Sequence, residues 1–315
     1  MNQNSTSNAA TASLVNHSAA IAAILDQLGA ATVAVRGRHC SVASGVVWQE
    51  GLVVTAAHVF RRPPATVTLV GAEGKSIEAA LVGVDASTDI ALFRLSGEHG
   101  LAAVVPGDAA GVRAGHFAVA VGRSIEGDLL ASAGIVNRAT GPWQTWLGGS
   151  LDRLIRLDGG VYDGLSGAPV TDASGAVIGI ATSALSRSYG IVVPSSTVSR
   201  VIAALLADGR IARPWLGIGA QPVLLPASAA AGASAGTAGL LISSLAPGGP
   251  AERAGLLIGD IVVRAAGGPV ADLRALRNAL ASHVGERATL SVLRGGAARE
   301  LQLEVGEWPA ERHCR

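Results

Sequence analysis

A succession of short segments rich in Val, Ile and Leu runs through residues 31–193, and clusters of Gly, Pro and Asp separate them. The segments are Ala31–Arg36, Val42–Trp48, Leu52–Thr55, Thr66–Val70, Ile77–Val84, Ile90–Leu95, Phe117–Val121, Leu130–Val136, Leu154–Leu157, Ala176–Ala181 and Ile191–Val193. Short strands that recur between turn signals are typical of an all-β barrel or sandwich. We therefore expect this part of the chain to be mainly β.

Helices are predicted on either side of the β region. Residues 14–28 place apolar side chains at roughly helical spacing, and residues 195–207 do the same, with Ser195 or Ser196 as a cap and Gly209 as the stop. The polar segment 1–13 is expected to be disordered. It lacks the basic residues of a secretory signal, which taken alone predicts a cytoplasmic protein.

A second, smaller domain is predicted after a short linker at residues 208–213. Strand-like segments lie near residues 215–220, 239–245, 260–265, 287–293 and 299–305. A helix is expected over residues 271–282, where Leu273, Leu276 and Leu280 share one face. This domain is expected to span residues 214–306, with a loop at 226–238 and a tail at 307–315.

Composition excludes several classes of partner. The net charge is +1 and no basic stretch appears, so a nucleic-acid partner is not expected. Although 49% of the residues are apolar, no uncharged apolar run reaches the 18 or more residues of a membrane span. The two cysteines, Cys40 and Cys314, are expected to be unpaired thiols. No metal cluster or cofactor motif is found, so neither a metal nor a cofactor is expected.

Three short motifs carry a histidine, an aspartate and a serine in that order. They are Val54-Thr55-Ala56-Ala57-His58-Val59, Ser87-Thr88-Asp89-Ile90-Ala91-Leu92 and Asp163-Gly164-Leu165-Ser166-Gly167-Ala168-Pro169. A serine hydroxyl needs a base within hydrogen-bonding reach, and that base needs an orienting partner. The chemistry predicts Ser166 as nucleophile, His58 as base and Asp89 as the orienting carboxylate.

Other acidic residues compete for the third role, and the serine has its own local requirements. Asp85, Asp158 and Asp163 are the alternatives to Asp89, which we prefer because it directly precedes the apolar run Ile90-Ala91-Leu92. Gly164 and Gly167 flank Ser166 and permit the backbone angles of a tight turn. The backbone N–H groups of Gly164 and Ser166 are therefore predicted to bind an oxyanion.

These motifs resemble the three signatures of trypsin-like serine proteases. Their spacings of 31 and 77 residues resemble the HtrA (Deg) branch, as do the segments 175–180 and 190–195. The segment 239–262 is similar to a PDZ domain. The resemblance implies a mainly β fold, in which a chymotrypsin-like double β-barrel at residues 14–207 precedes a small α+β PDZ domain.

The same resemblance implies a function. It implies an ATP-independent serine endopeptidase that cleaves unfolded or damaged polypeptides through an acyl-enzyme and assembles as a homotrimer or larger. Because most of the family is exported, the resemblance also implies a periplasmic location, whereas residues 1–13 taken alone predict a cytoplasmic one. Two positions depart from the family, since Leu165 stands where Asn or Asp is usual and Ala168 stands where a second Gly is usual.

The resemblance also implies two binding regions. Val161, five residues before the serine, is expected to line a small apolar pocket for the residue before the cut, beside a substrate-pairing edge at Ile180-Ala181-Thr182. In the second domain, Trp215-Leu216-Gly217-Ile218 is similar to the loop that captures a peptide carboxylate. Leu273 and Leu276 are expected to border that groove, although ordinary helix packing is an alternative for at least two of the three helix leucines.

Another class of function stays open at this point. The chain can be interpreted as a catalytically impaired pseudoprotease, in which the barrels act as a scaffold and the PDZ domain binds peptides. Leu165 and Ala168 are the features that favour this interpretation, whereas the intact His58, Asp89 and Ser166 favour an enzyme.

Overall fold

The computed structural model describes residues 3–37, 42–60, 63–225 and 238–308, with side chains from residue 13 onward. Two compact units make up the chain, residues 1–211 and 212–315. The division falls inside the segment predicted as a linker. Cys40, Cys314 and all but the last residue of the predicted 226–238 loop lie outside the described residues.

The first unit contains two closed barrels, and the one earlier in the sequence has six strands. Its strands are β1 (Thr32–Arg36), β2 (Val42–Gln49), β3 (Leu52–Ala56), β4 (Thr66–Val70), β5 (Ser76–Asp85) and β6 (Ile90–Leu95). They follow the antiparallel order β1-β2-β3-β6-β5-β4, and β4 pairs with β1 to close the barrel. Because β3 and β6 are neighbours, the ends of these two strands lie together.

A second closed barrel completes the first unit. Its strands are β7 (Phe117–Arg123), β8 (Leu129–Thr140), β11 (Leu154–Leu157), β12 (Pro169–Asp172), β13 (Val177–Thr182) and β14 (Ile191–Pro194). The order is β11-β14-β13-β12-β7-β8, and a small hairpin of β9 (Trp143–Gln144) and β10 (Ser150–Leu151) stands apart from it. The expected double β-barrel is confirmed.

Helices cover the first unit at both ends of its sequence. Helix α1 spans Gln3–Gly29, so the prediction of disorder over residues 1–13 is wrong from Gln3 onward. The Ala-, Ser- and Asn-containing sequence before residue 14 holds no Gly or Pro that would stop the helix. Helix α2 spans Ser195–Asp208 and ends at Gly209 in the left-handed conformation, as expected. Its N-cap is Pro194, without a side-chain cap.

The interior of the first unit joins both barrels with both helices. One apolar cluster contains Leu28 of α1, Trp48 of β2, Ile180 of β13 and Leu205 of α2. Each of these side chains is at least 96% buried. Fully burying a large apolar side chain contributes roughly 1.5–3 kcal/mol, so this shared core fixes the barrels against each other.

The second unit is a partly open sheet with two helices. Its strands are β15 (Pro214–Trp215), β16 (Ile218–Leu224), β17 (Ala238–Leu245), β18 (Ile261–Ala265), β19 (Gly268–Pro269), β20 (Arg287–Arg294), β21 (Ala297–Glu304) and β22 (Gly306–Glu307). The main sheet has the order β16-β17-β18-β20-β21, and β15 pairs with β22. Helices α3 (Pro250–Arg253) and α4 (Leu273–Leu280) complete this α+β unit, and a 3-10 turn at Ala281–His283 extends α4.

No helix within the described ranges is both long enough and apolar enough to cross a bilayer.

Candidate active site and peptide groove

Strand pairing in the first barrel brings His58 and Asp89 together. His58 lies in the 3-10 turn Ala57–Val59 that follows β3, and Asp89 directly precedes β6. The terminal pair of these strands is Ala56 with Ile90, so the residues just beyond them are neighbours. The ring Nδ1 of His58 lies 2.7 Å from Asp89 Oδ2, and the backbone N–H of His58 donates to Asp89 Oδ1 at 2.7 Å.

Asp89 is buried and accepts several hydrogen bonds. It is 1% exposed and has a positive φ of 62°, which is unusual for a residue other than Gly. Its carbonyl accepts a hydrogen bond from the Ala57 N–H, and its Oδ2 accepts another from the hydroxyl of Thr182. A carboxylate with this many donors keeps one orientation, which fixes the imidazole that it faces.

The other acidic candidates lie elsewhere. Asp85 binds the side chains of Ser87 and Thr88 within its own turn. Asp158 accepts from the backbone N–H of Ile135, and Asp163 is exposed. Asp89 is therefore the candidate carboxylate that contacts His58.

Ser166 reaches this pair through a second hydroxyl. Ser166 Oγ lies 3.1 Å from Ser183 Oγ, and Ser183 Oγ lies 3.3 Å from His58 Nε2. Among the described residues, no direct hydrogen bond joins Ser166 and His58. Sequence reasoning missed Ser183, since no local motif marks a serine that follows a strand by one residue.

Ser44 supports the loop that carries Ser166. Its hydroxyl donates to the carbonyl of Gly164 at 2.6 Å, and its backbone N–H donates to the carbonyl of Ser166 at 2.9 Å. Ser44 is fully buried, and its Oγ also accepts the backbone N–H of Arg123. The bond from Ser44 to Gly164 spans 120 residues of sequence and the bond from Arg123 spans 79, so no local pattern could have revealed them.

The loop conformation depends on its glycines. Gly164 has φ of +88° and Gly167 has φ of +82°. A Cβ on Gly167 would lie 2.2 Å from the carbonyl oxygen of Ser44, so only Gly fits there. In the part of the chain that the structure describes, the N–H groups of Gly164 and Ser166 donate no hydrogen bond to the protein, which leaves both available to a ligand.

The two positions that depart from the family are buried. Leu165 is 4% exposed and Ala168 is fully buried. The backbone N–H of Leu165 donates to Tyr162 and that of Ala168 donates to Leu165, so both belong to a regular turn. Leu165 packs beneath the loop, where it borders a cavity of about 200 Å³ in the second barrel.

Arg123 connects Ser44, which supports the loop, to other parts of the first unit. Its side chain is 3% exposed and donates to the carbonyls of Thr32, Gly29 and Gly127. Burial lowers the pKa of the Arg123 guanidinium, and the nearby Asp128 carboxylate works in the opposite direction. Arg123 thereby joins the end of α1, β1 and the Ser44 contact in one network.

The serine and the histidine share an open cleft of about 480 Å³. Its lining residues are Val42, Ala43, His58, Val59, Val161, Tyr162, Asp163, Gly164, Ser166 and Ser183. Val161 also borders the cavity of about 200 Å³ beneath the loop. Val161 therefore lies beside the cleft, and its role in binding the residue before the cut stays a prediction.

The predicted substrate-pairing edge is wrong for Ile180 and Ala181. Both residues lie in β13, which is an interior strand between β12 and β14. The backbone of Ala181 already donates to Ala168 and accepts from Gly167. Thr182, at the end of β13, is fully buried and binds Asp89 instead of facing a pocket. A continuous apolar strand such as Val177–Ala181 is the usual signal of an interior position.

The second unit contains an apolar groove where the sequence predicted one. Its lining residues are Pro214, Trp215, Leu216, Gly217, Ile218, Leu273, Leu276, Arg277, Leu280 and Trp308. All six predicted groove residues are among them. Leu276 and Leu280 are also buried in the core, whereas Leu273 is partly exposed, which agrees with helix packing for two of the three leucines.

The loop between β15 and β16 offers free backbone donors to this groove. Gly217 has φ of +72°, and its carbonyl accepts from Ala246 while the Leu216 carbonyl accepts from Ala251. Over residues 212–225 and 238–308, the N–H groups of Leu216 and Gly217 donate to no protein acceptor. Amides left free beside an apolar groove are suited to a peptide carboxylate.

Within the described ranges, no cluster of three or more His, Cys, Asp or Glu side chains is arranged to hold a metal ion.

Two family models match the chain. The trypsin-like peptidase domain matches residues 43–180, and the PDZ domain matches residues 214–305. Together these matches include every triad candidate and every predicted groove residue.

Two relatives named as serine endoproteases are similar to this chain. The probable periplasmic serine endoprotease DegP-like of Brucella suis biovar 1 (strain 1330) is 34% identical over 291 residues, which cover 88% of this chain and 55% of that relative. The protein of the same description from Rhizobium meliloti (strain 1021) is 32% identical, over 84% of this chain and 53% of that relative. The chain thus spans about half the length of the relatives that it matches.

Solved structures show the same architecture. The HtrA-type protease AlgW with a decapeptide superposes with a TM-score of 0.70 and 28% identity, over 85% of this chain and 83% of that one. The serine endoprotease from Yersinia pestis superposes with a TM-score of 0.72 over 92% and 98% of the two chains, but its 21% identity supports the fold alone. The two family matches and their order therefore show a trypsin-like peptidase domain followed by a PDZ domain, in a chain that is similar to DegP-like serine endoproteases and to HtrA-type proteases.

Proposed function

We propose that this chain is a serine endopeptidase that works through an acyl-enzyme. The observation that carries the proposal is the 2.7 Å contact between His58 Nδ1 and the buried Asp89, with His58 Nε2 turned to the cleft that holds Ser166. In the first step, Ser166 Oγ attacks the substrate carbonyl and its proton passes to His58. Asp89 then stabilises the imidazolium, which returns the proton to the leaving amine.

The loop around Ser166 supplies the second catalytic element. As the carbonyl becomes tetrahedral, negative charge develops on its oxygen. We assign the free N–H groups of Gly164 and Ser166 to this oxyanion, since neither is used within the described part of the protein. Water then attacks the acyl carbon while His58 takes its proton. The bond between that carbon and Ser166 Oγ breaks, His58 returns the proton to Oγ, and the second product leaves with a new carboxyl group.

The substrates that we propose are unfolded or damaged polypeptides. An open cleft of about 480 Å³ admits an extended chain, and the similar proteins are named as endoproteases. The residue before the cut is proposed to be Val, Ala or a similar small apolar residue because the side chain at Val161 is apolar; the carboxylate of Asp163 lines another part of the same cleft. A homotrimer or larger assembly is proposed from the family resemblance alone.

The groove of the second unit is proposed to bind the C-terminus of a peptide and thereby modulate cleavage. Leu273 and Trp215 supply apolar contacts, and the amides of Leu216 and Gly217 would receive the carboxylate. The AlgW protease that is similar to this chain has been solved with a decapeptide and with a tripeptide.

The pseudoprotease alternative has less support. It rests on Leu165 and Ala168, which are packed inside a regular turn and remove no reacting atom.

Covalent labelling tests the proposal. A fluorophosphonate probe reacts with a serine only when a base activates it, so the full chain should be labelled and the Ser166→Ala variant should not. Digestion of a permanently unfolded polypeptide should give new termini after Val or Ala, read by mass spectrometry. Labelling that survives in Ser166→Ala, or cuts mainly after Lys or Arg, would contradict the corresponding part of the proposal.

A further inference from the structure

Ser183 lies between the proposed nucleophile and its base. Its hydroxyl is 3.1 Å from Ser166 Oγ and 3.3 Å from His58 Nε2. The residue is exposed to the cleft, so it is not a packing residue. A hydroxyl in this position affects which partner receives the proton of Ser166.

The backbone on both sides of Ser183 is anchored. The hydroxyl of Thr182 donates to Asp89 and accepts from the N–H of Ala184 at 3.1 Å. The indole Nε1 of Trp146 donates to the carbonyl of Ala184 at 3.1 Å. The position of Ser183 beside His58 is therefore built by its neighbours, while its own side chain remains free to change rotamer.

The direction of each hydrogen bond follows from the donors present. An ionised Asp89 only accepts, so Nδ1 of a neutral His58 carries the proton and Nε2 has only a lone pair. The hydroxyl of Ser183 must then donate to His58 Nε2, and the hydroxyl of Ser166 donates to Ser183 Oγ. In this arrangement the proton of Ser166 does not point at the base.

We propose that Ser183 is a positioning residue that latches the resting site, by occupying the acceptor that Ser166 needs. Each turnover then begins when Ser183 rotates away and Ser166 donates directly to His58 Nε2. The inference rests on the proposed function of Ser166 and His58.

The distances favour a latch over a proton relay through Ser183. Bonds between hydroxyl groups are usually about 2.7–2.8 Å, and a general base works at about 2.6–3.2 Å. Both links of Ser183 are longer than the usual values, in contrast to the 2.7 Å contact between His58 and Asp89. Long, weak links are readily broken but transfer protons poorly.

The Ser183→Ala variant tests the latch. Removing a competitor worth about one hydrogen bond should raise the second-order rate of fluorophosphonate labelling about fivefold. With a peptide substrate, kcat should rise and KM should stay unchanged. The control is Ser188→Ala, an exposed serine in the same segment, which should leave both rates unchanged.

A second measurement does not depend on activity. In protein labelled with ¹⁵N-histidine, the Nε2 resonance of His58 should shift in Ser183→Ala and stay in place in Ser188→Ala. An unchanged resonance, or labelling that is unchanged or slower in Ser183→Ala, would overturn the latch; slower labelling would indicate a relay. Failure of the proposed function itself looks different, because Ser166→Ala would then keep its label or the parent chain would never acquire one.

Discussion

In the first unit the proposed catalytic groups are positioned by hydrogen bonds between specific atoms, whereas the groove of the PDZ unit is lined mainly by apolar side chains. The carboxylate of Asp89, for example, accepts three hydrogen bonds, from the backbone N–H of His58, from the ring of His58 and from the hydroxyl of Thr182. The groove has Leu273, Leu276 and Trp215 on its walls and two free amides beside them. The first kind of site tolerates few substitutions because each bond has one geometry, and the second tolerates apolar exchanges.

The largest effect is expected when Ser44, which supports the loop of the hydrogen-bonded site, is replaced. In Ser44→Ala, the carbonyl of Gly164 and the N–H of Arg123 both lose a buried partner. Each orphaned group costs about 1–3 kcal/mol, so the loop that carries Gly164 and Ser166 should relax and kcat should fall by about 10–100-fold. Single-turnover acylation kinetics measure this directly, with KM expected to change less than kcat.

Ser195→Ala is the matched control for that experiment. Ser195 is also buried and its hydroxyl donates to a backbone carbonyl, that of Gly107 at 2.7 Å, but it does not touch the loop. This variant should lose thermal stability and keep its kcat. If both variants lose kcat equally, Ser44 acts through general stability and not through the loop.

The same contrast explains what the sequence could predict. The residues His58, Asp89 and Ser166 were recognisable because the chemistry needs those residue types, each of which lies in a short motif, and because glycines flank Ser166. The groove was recognisable because a helix face and a Gly-containing loop are local patterns. Both lie in elements whose type could be assigned from the spacing of apolar residues.

The supporting contacts could not be predicted, because they join distant parts of the chain. Ser44 meets Gly164 across 120 residues, and Ser183 meets His58 across 125. The error at Ile180 and Ala181 has a different origin, since the continuous apolar run of β13 already indicated an interior strand. Helix α1 was placed too short because a segment of small polar residues has no periodicity of its own.

An intermediate effect is expected where the groove is changed. In Leu273→Glu, a carboxylate replaces a partly exposed apolar wall and would repel the carboxylate of a bound peptide. The Kd of a fluorescent peptide ending in Val should rise by about tenfold or more, measured by anisotropy. Ile258→Glu, which changes an exposed apolar residue outside the groove, is the control and should bind normally. Equal loss in both variants, or none in either, would contradict the assigned groove.

The smallest effect is expected at an ion pair of the PDZ unit. The pair of Asp260 and Arg294 is positioned by hydrogen bonds, although it belongs to the same unit as the apolar groove. Asp260 is 1% exposed and accepts from Arg294 Nε and Nη2, both at 2.8 Å, and from the N–H of Leu257. The hydrogen bonds from Arg294 hold the pKa of the Asp260 carboxyl below its usual value, against the opposing effect of burial. Its stabilising contribution is therefore complete above the unfolded-state pKa of about 3.9 and is lost as the pH falls through the lower, folded-state value.

Asp260→Asn should remove that pH-dependent contribution. At pH 7 the thermal transition of the PDZ unit should fall by about 4–8 °C, and the difference from the parent should shrink as the pH is lowered below about 4. Calorimetry of the full chain over this pH range measures both. Glu300→Gln removes an exposed carboxylate of β21 and should leave the transition at pH 7 nearly unchanged. If the difference in transition temperature between Asp260→Asn and the parent stays constant with pH, the charge of Asp260 contributes nothing and only its packing stabilises the unit. The PDZ unit would then be stabilised by packing even at its ion pair.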